Sequence, residues 1–211
     1  MSNTYLEVPG IVTAPQLKAV AACVSKDRGA APAVRCVRLE VVNQTVLLIT
    51  VEGRYAFIGR RLYTQEQELP EGLAFNIPLA ALEQMPKKGE LDLEVHGDEG
   101  AYILGGVKFA PAGENKYPNW RRIVPTSASG EPANYDVGLL KLGADAVLAF
   151  EGVAKSRVAE VNLVQNGEGG TGVMVLGERG ADEAACMFLI RPKQGDLPAY
   201  LYDAPGWING H

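Results

Sequence analysis

Histidine is nearly missing from this 211-residue chain, which holds only His96 and His211. A Ser-His-Asp or Cys-His catalytic arrangement would have to rest on His96. That residue ends the alternating pattern Leu91-Asp92-Leu93-Glu94-Val95, just before Gly97-Asp98-Glu99-Gly100, which is the place of a solvated hairpin residue. Cysteine is scarce too. Cys23, Cys36 and Cys186 are an odd number without C-x-x-C spacing, which argues against a disulfide framework or a zinc ribbon and reads as buried thiols. No apolar run reaches the ~18 residues of a membrane span. The opening MSNTYLEVPG lacks the basic-then-apolar layout of a signal peptide, so the expected location is cytoplasmic. Excess positive charge is also lacking: 20 Lys and Arg against 25 Asp and Glu give a net charge of −5. That excludes coating nucleic acid through bulk charge and leaves a local basic face open. Acidic residues are scattered, with Asp182-Glu183 adjacent near a turn, and form neither a metal-ligand cluster nor a spaced catalytic pair. The expectation is a non-enzymatic protein with no cofactor and no metal.

The composition is that of a globular chain, 47% hydrophobic and 21% charged, long enough to bury a core. A strand at 5–8 precedes Thr13-Ala14-Pro15-Gln16, where a Thr cap and an early proline announce a helix. Leu17, Val20, Ala21 and Val24 form its apolar stripe, and Gly29 is its expected C-cap. Three β-runs follow at 34–42, 45–51 and 55–63, joined by tight turns at Asn43-Gln44 and Glu52-Gly53. The order then recurs: a strand at 73–77, a short helix at 78–85, and a hairpin of 91–95 with 101–109. Residues 126–132 are small and polar, the best linker in the chain. Beyond it, a helix at 135–150 is expected with Val137, Leu140, Ala144, Val147 and Leu148 on one side. Strands at 158–164, 172–176 and 184–190 follow, and regular structure then fades among Pro192, Pro198, Pro205, Gly206 and Trp207. The division expected is one complete domain, 1–125, and a truncated one, 133–205.

Gly167-Glu168-Gly169-Gly170-Thr171-Gly172 fits the letters G-x-G-x-x-G. A phosphate cradle needs a helix to open at the last glycine, whereas Val173-Met174-Val175-Leu176 reads as a strand, so a hairpin loop is expected. Lys18, Lys26, Arg28, Lys87, Lys88 and Lys141 lie on or just after the three helices. If those helices share a face, the residues form a basic stripe suited to phosphate contacts; otherwise they are ordinary solvated side chains. The most informative segment is Tyr117-Pro118-Asn119-Trp120-Arg121-Arg122-Ile123-Val124-Pro125. Two large aromatics, two arginines and flanking prolines cannot all pack inward. An exposed groove lined by Pro118, Arg122 and Ile123 would suit a short apolar peptide with an acidic or carboxylate end. A structural strand between domains is the plainer reading and does not exclude the groove.

That segment resembles the F-P-D-Y-R-R-V-x-P motif of the bacterial sliding clamp family, the beta subunit of DNA polymerase III. Val51-Glu52-Gly53-Arg54-Tyr55-Ala56, followed by Arg60-Arg61-Leu62, is similar to that family's T-D-G-H-R-L turn and next strand. Ala185-Cys186-Met187-Phe188-Leu189-Ile190-Arg191-Pro192 is similar to its closing A-Y-V-V-M-P-M-R-L strand. The resemblance implies an α+β, DNA-clamp-like fold with antiparallel sheets and helices on one face. It implies a replication or repair accessory protein that encircles or docks on double-stranded DNA without sequence specificity. Partner proteins would be tethered through a hydrophobic cleft for clamp-binding peptides. By matched position the cleft would involve Val34, Val51, Gly53, Arg54, Tyr55, Ala56, Pro118, Arg122, Ile123, Met187, Phe188, Leu189 and Ile190. The DNA-facing residues would be the basic ones named above, and the family's ring implies a homo-oligomer. The alternative is a clamp-derived module that binds such peptides, or a resident clamp, without encircling DNA.

Overall fold

The computed structural model describes residues 5–63, 68–112, 117–127, 133–154, 160–165, 170–177 and 184–193. The first unit runs β1 (Tyr5–Thr13), α1 (Ala14–Ala21), β2 (Cys36–Val42), β3 (Thr45–Val51) and β4 (Tyr55–Leu62). The order recurs as β5 (Ala74–Pro78), α2 (Leu79–Leu82), β6 (Glu90–His96), β7 (Ala101–Leu104) and β8 (Val107–Phe109). The last part is α3 (Val137–Phe150), β9 (Val161–Gln165), β10 (Gly172–Leu176) and β11 (Cys186–Ile190). This is an α+β fold of antiparallel sheets.

Local chemistry accounts for the boundaries. Thr13 caps α1 by accepting from the Gln16 N–H, and proline occupies the first turn, where its missing N–H costs nothing. Asn43 and Gln44 both take positive φ (49° and 56°), the backbone a two-residue hairpin turn demands. Three expectations need correction. Gly29 does not cap α1, which ends at Ala21 with Ala22 as its cap; Gly29 instead donates its N–H to the Asp27 carboxylate at 2.8 Å. The second helix shrinks to the single turn 79–82. The run 101–109 is two strands, because Gly105 and Gly106 reverse the chain with φ of 54° and 81°.

Two sheets form. One has the order β1-β6-β7-β8; the other has seven strands in the order β5-β2-β3-β4-β11-β10-β9. The β4–β11 pair carries the second sheet across the expected linker, with Phe57 opposite Phe188 and Ala56 opposite Leu189. Strand periodicity then sorts side chains by face. Leu39, Leu48, Phe57, Phe188, Ile190 and Met174 point into one large core shared with α1, α3 and the four-stranded sheet. Ile49, Val51, Ala56, Ile58 and Leu189 point the other way and form a second, smaller cluster.

Helix α3 buries only part of the expected side. Val147 is fully buried and Leu140, Ala144 and Leu148 are half-buried against the core, but Val137 is 80% exposed, and Leu139, Gly143, Ala146 and Phe150 are the other buried positions. Gly143 faces Phe188 of β11, and Gly59 of β4 faces the Phe150 ring. Each glycine leaves the space that the opposite aromatic fills, so the helix lies close against the β4–β11 seam. Cys23, Cys36 and Cys186 are buried free thiols. Among the described residues no helix is long and apolar enough to cross a membrane.

Candidate functional site

The outer face of the seven-stranded sheet is covered by segment 117–127, which contains a 3-10 turn at Trp120–Ile123. Tyr117, Trp120 and Val124 pack on the outer apolar cluster. The Tyr117 hydroxyl donates to the Ile49 carbonyl at 2.9 Å, and burial pushes its phenol far above the ordinary range. Arg121 reaches Glu40 on β2 at 2.8 Å while its guanidinium lies 4.3 Å from the centroid of the Trp120 ring. Glu40 also holds Arg38 at 2.6 Å, and Arg38 donates to Asn76 at 3.1 Å. Burial alone would raise the Glu40 carboxyl, but the hydrogen bonds and charges of Arg38 and Arg121 outweigh it and hold Glu40 below the usual range. Two aromatics facing in, and Arg121 tied back to Glu40, thus fix this segment as a wall standing on the sheet.

Between that wall and the β3–β4 turn lies an open groove of about 590 Å³. Val51, Ala56 and Leu189 contribute apolar floor, and Ile123 of the wall is 41% exposed. Arg122 and Arg191 bring two guanidinium groups, neither with a carboxylate partner among the described residues. Glu52 also lines the groove, but its carboxylate accepts the Arg54 N–H at 2.9 Å and lies 3.6 Å from the Arg54 guanidinium. The site offers apolar surface with surplus positive charge at its edge. A smaller cavity of about 200 Å³ lies on the other side of Val124, lined by Leu47, Ile58, Trp120 and Met187.

The structure brings Val51, Gly53, Tyr55, Ala56, Arg122, Ile123 and Leu189 together at the groove. Six other expected cleft residues lie elsewhere. Phe188 and Ile190 point through the sheet into the main core, at 0% exposure, because they alternate with Leu189 along β11. The Tyr55 ring takes the same side, stacked on Phe188 at 5.4 Å, so its phenol does not face the groove. Met187 lines the smaller cavity, Val34 ends a 3-10 turn ahead of β2, Pro118 is half-buried outside the lining, and Arg54 is exposed beside it. Sequence reading missed Glu52, Val124, Pro125, Thr126, Ser127, Thr171 and Arg191. For Arg191 a signal existed, since Met187, Leu189 and Arg191 share one face by strand alternation.

On the opposite side, α1 and α3 pack against each other. Lys18, Lys26, Arg28, Lys87, Lys88 and Lys141 are all exposed, and Lys141 pairs with Asp145 at 3.0 Å. Only Lys18 and Lys141 lie on helices; the other four lie on loops. Gly172 opens strand β10 rather than a helix, so the glycine loop has no helix N-terminus at that point. Residues 166–169 of that loop, 128–132 of the linker and Asp182-Glu183 lie outside the described residues. Among the described residues no group of three or more His, Cys, Asp and Glu is placed to hold a metal ion.

Neither a family model nor a curated protein matches the sequence. Solved structures do match. The DNA polymerase III beta subunit of Thermotoga maritima is similar at a TM-score of 0.63 and 11% identity, over 93% of this chain and 67% of its own. A Pseudomonas aeruginosa sliding clamp gives 0.56 at 15% identity, over 95% and 68%. A Helicobacter pylori beta clamp bound to a DNA ligase peptide gives 0.62 at 10% identity, over 92% and 67%. At such identities the likeness concerns architecture: this chain has the fold of the bacterial sliding clamp, across about two thirds of that protein's length.

Proposed function

We propose that this chain is a non-enzymatic, clamp-type accessory protein of DNA replication or repair that tethers partner proteins through the outer groove. The groove itself carries the reading. It sets an apolar floor beside two guanidinium groups that have no acidic partner among the described residues, which is the chemistry for a short apolar peptide bearing a carboxylate. Its walls come from the three segments whose sequences resemble clamp motifs. The H. pylori clamp of the same fold holds a DNA ligase peptide. The two units proposed are a complete clamp domain, 1–125, and a truncated one, 133–205, joined through β4 and β11.

DNA would meet the opposite, helix side through phosphate contacts from Lys18, Lys26, Arg28, Lys87, Lys88 and Lys141. A ring would then require several copies of the chain. A second reading, a peptide-binding module that does not encircle DNA, is favoured by the pairing of Lys141 with Asp145, which cancels charge on that face.

Fluorescence anisotropy with a labelled DNA ligase peptide tests the groove. Arg122→Ala and Ile123→Ala should each weaken binding about tenfold, and unchanged affinity in both would remove the assignment. Light scattering with nicked circular DNA separates the two readings. A discrete oligomer held on circles, released on linearisation and lost with Lys18→Glu, Lys26→Glu and Lys141→Glu, supports the ring. A species indifferent to DNA supports the module.

A further inference from the structure

We propose that Arg191 is a specificity residue of the groove, selecting peptides that carry an acidic residue within two positions of their apolar anchor; the inference rests on the groove being a peptide site. Strand register lays out the surface such a peptide would meet. Leu189 stands opposite Ala56 on one side and Val173 on the other, and Ala56 stands opposite Val51. All four belong to the outer apolar cluster and make one row across β3, β4, β11 and β10. Alternation brings the chain back to the same face two residues beyond Leu189, and the residue there is Arg191. At ~3.3 Å of rise per residue, the cationic position lies ~7 Å from the apolar row.

The fold fixes where that guanidinium stands. The Arg191 backbone N–H donates to the Arg54 carbonyl at 2.8 Å, which carries the β4–β11 pairing one residue past the end of β11. Its guanidinium donates to the Gly53 carbonyl at 3.3 Å, in the β3–β4 turn. A guanidinium is a planar fork of several N–H donors, so this one contact holds the group at the turn side of the groove and leaves donors for a carboxylate. Among the described residues Arg191 has no acidic partner. Glu52, the acidic residue lining the groove, is engaged by Arg54. Arg122 brings a second exposed guanidinium from the wall, beside Ile123.

Reach turns this layout into a sequence preference. An extended peptide advances ~3.3 Å per residue, so a side chain seated on the apolar row brings only its near neighbours to Arg191. An acidic residue six positions away lies ~20 Å off, well beyond a screening length of about 8 Å. Specificity is a difference of affinities. Two peptides with the same apolar anchor share the floor contacts, and the position of the carboxylate decides between them. The expected difference is about fivefold in affinity, the upper range for a solvent-exposed ion pair.

The test displaces fluorescein-labelled DNA ligase peptide from the full-length protein with synthetic decapeptides capped at both ends. Each is built of serine and glycine around a pair of leucines. A single aspartate stands two or six residues after the second leucine, and further versions carry asparagine or lysine at the near position. Wild type should prefer the near-aspartate peptide about fivefold over its far-aspartate isomer and over the asparagine peptide. Arg191→Gln should erase that preference, with the loss confined to the near-aspartate peptide. Damage to the turn would instead weaken every competitor alike. Arg191→Glu should reverse the preference in favour of lysine. Equal competition by the two isomers in the wild type, or a preference that survives Arg191→Gln, overturns the assignment. Survival there with loss in Arg122→Gln overturns it in favour of the wall arginine. Labelled peptide that binds but yields to no competitor overturns the inference and leaves the peptide site standing. If the labelled peptide itself does not bind, the peptide-site reading falls and the inference falls with it.

Discussion

Phe188 of β11 lies in the space that Gly143 of α3 leaves open: a Cβ at position 143 would sit 2.5 Å from the ring's Cδ1. The reciprocal contact sets Phe150 of α3 over Gly59 of β4. Two glycine–phenylalanine pairs therefore lock the helix onto the seam where β4 meets β11, directly beneath the groove floor.

Alanine normally improves a helix interior by ~1 kcal/mol over glycine. At Gly143 that gain is opposed, because Phe188 is fully buried and its ring has nowhere to retreat. Overpacking a tight core costs about 1–3 kcal/mol. Gly143→Ala should lower the denaturant midpoint despite the better helix propensity. A raised midpoint would show that the helix can lift away from the seam.

Glu40 holds the groove wall through Arg121 and is also bound by Arg38. Glu40→Gln should destabilise the protein at pH 7 by about 1.5–3 kcal/mol, the range for hydrogen bonds to charged groups. The exposed share of Arg121 places the loss toward the lower end. Glu40 is held below the usual carboxylate range, so its stabilisation is complete above about pH 4.5 and is lost as pH falls through its folded value. The gap between wild type and variant, measured by urea unfolding, should narrow below that pH. A gap independent of pH would contradict the charge assignment.

Much of the fold was legible because strand alternation and turn chemistry are local. Thr45–Val51 and Gly172–Leu176 lie where the apolar pattern set them, and Asn43-Gln44 marks its turn. What escaped depends on partners distant in sequence. Gly143 reads as a weak helix residue until Phe188 is placed over it, and Val137 reads as core until the helix is rotated by that contact. The groove was half legible. Its wall was plain from the aromatics, arginines and prolines of 117–125, but Phe188 and Ile190 were included by matched position to the clamp family although strand alternation sends them inward. Glu40 and Arg121 are 81 residues apart, and no local pattern pairs them.

Alkaline titration should divide the tyrosines. Burial pushes Tyr55 up to about 12 and Tyr117 beyond the ordinary range, against the usual value of 10.0. Both groups favour the neutral form in the fold, so their stabilisation is full below pH 10 and declines as pH rises above it. Tyrosinate absorbance should show these two still protonated at pH 10.5 in native protein and released on unfolding. Titration of every tyrosine near pH 10 in the folded state would contradict the burial.

The two faces of the seven-stranded sheet should separate stability from binding. Phe188→Ala removes a fully buried ring and should cost about 3–5 kcal/mol. Ile123→Ala trims a side chain that is 41% exposed and should change stability by under about 1 kcal/mol. Only the second should weaken peptide binding while leaving the unfolding midpoint in place, as paired denaturation and anisotropy curves would show.

The groove between segment 117–127 and the β3–β4 turn is the proposed peptide site. Methyl-labelled NMR spectra recorded during titration with the DNA ligase peptide test it residue by residue. The predicted result is saturable shifts at Val51, Ala56, Ile123 and Leu189, with Leu17 of α1 and Val147 of α3 unmoved. Shifts confined to the helix side, or none at saturating peptide, would contradict it.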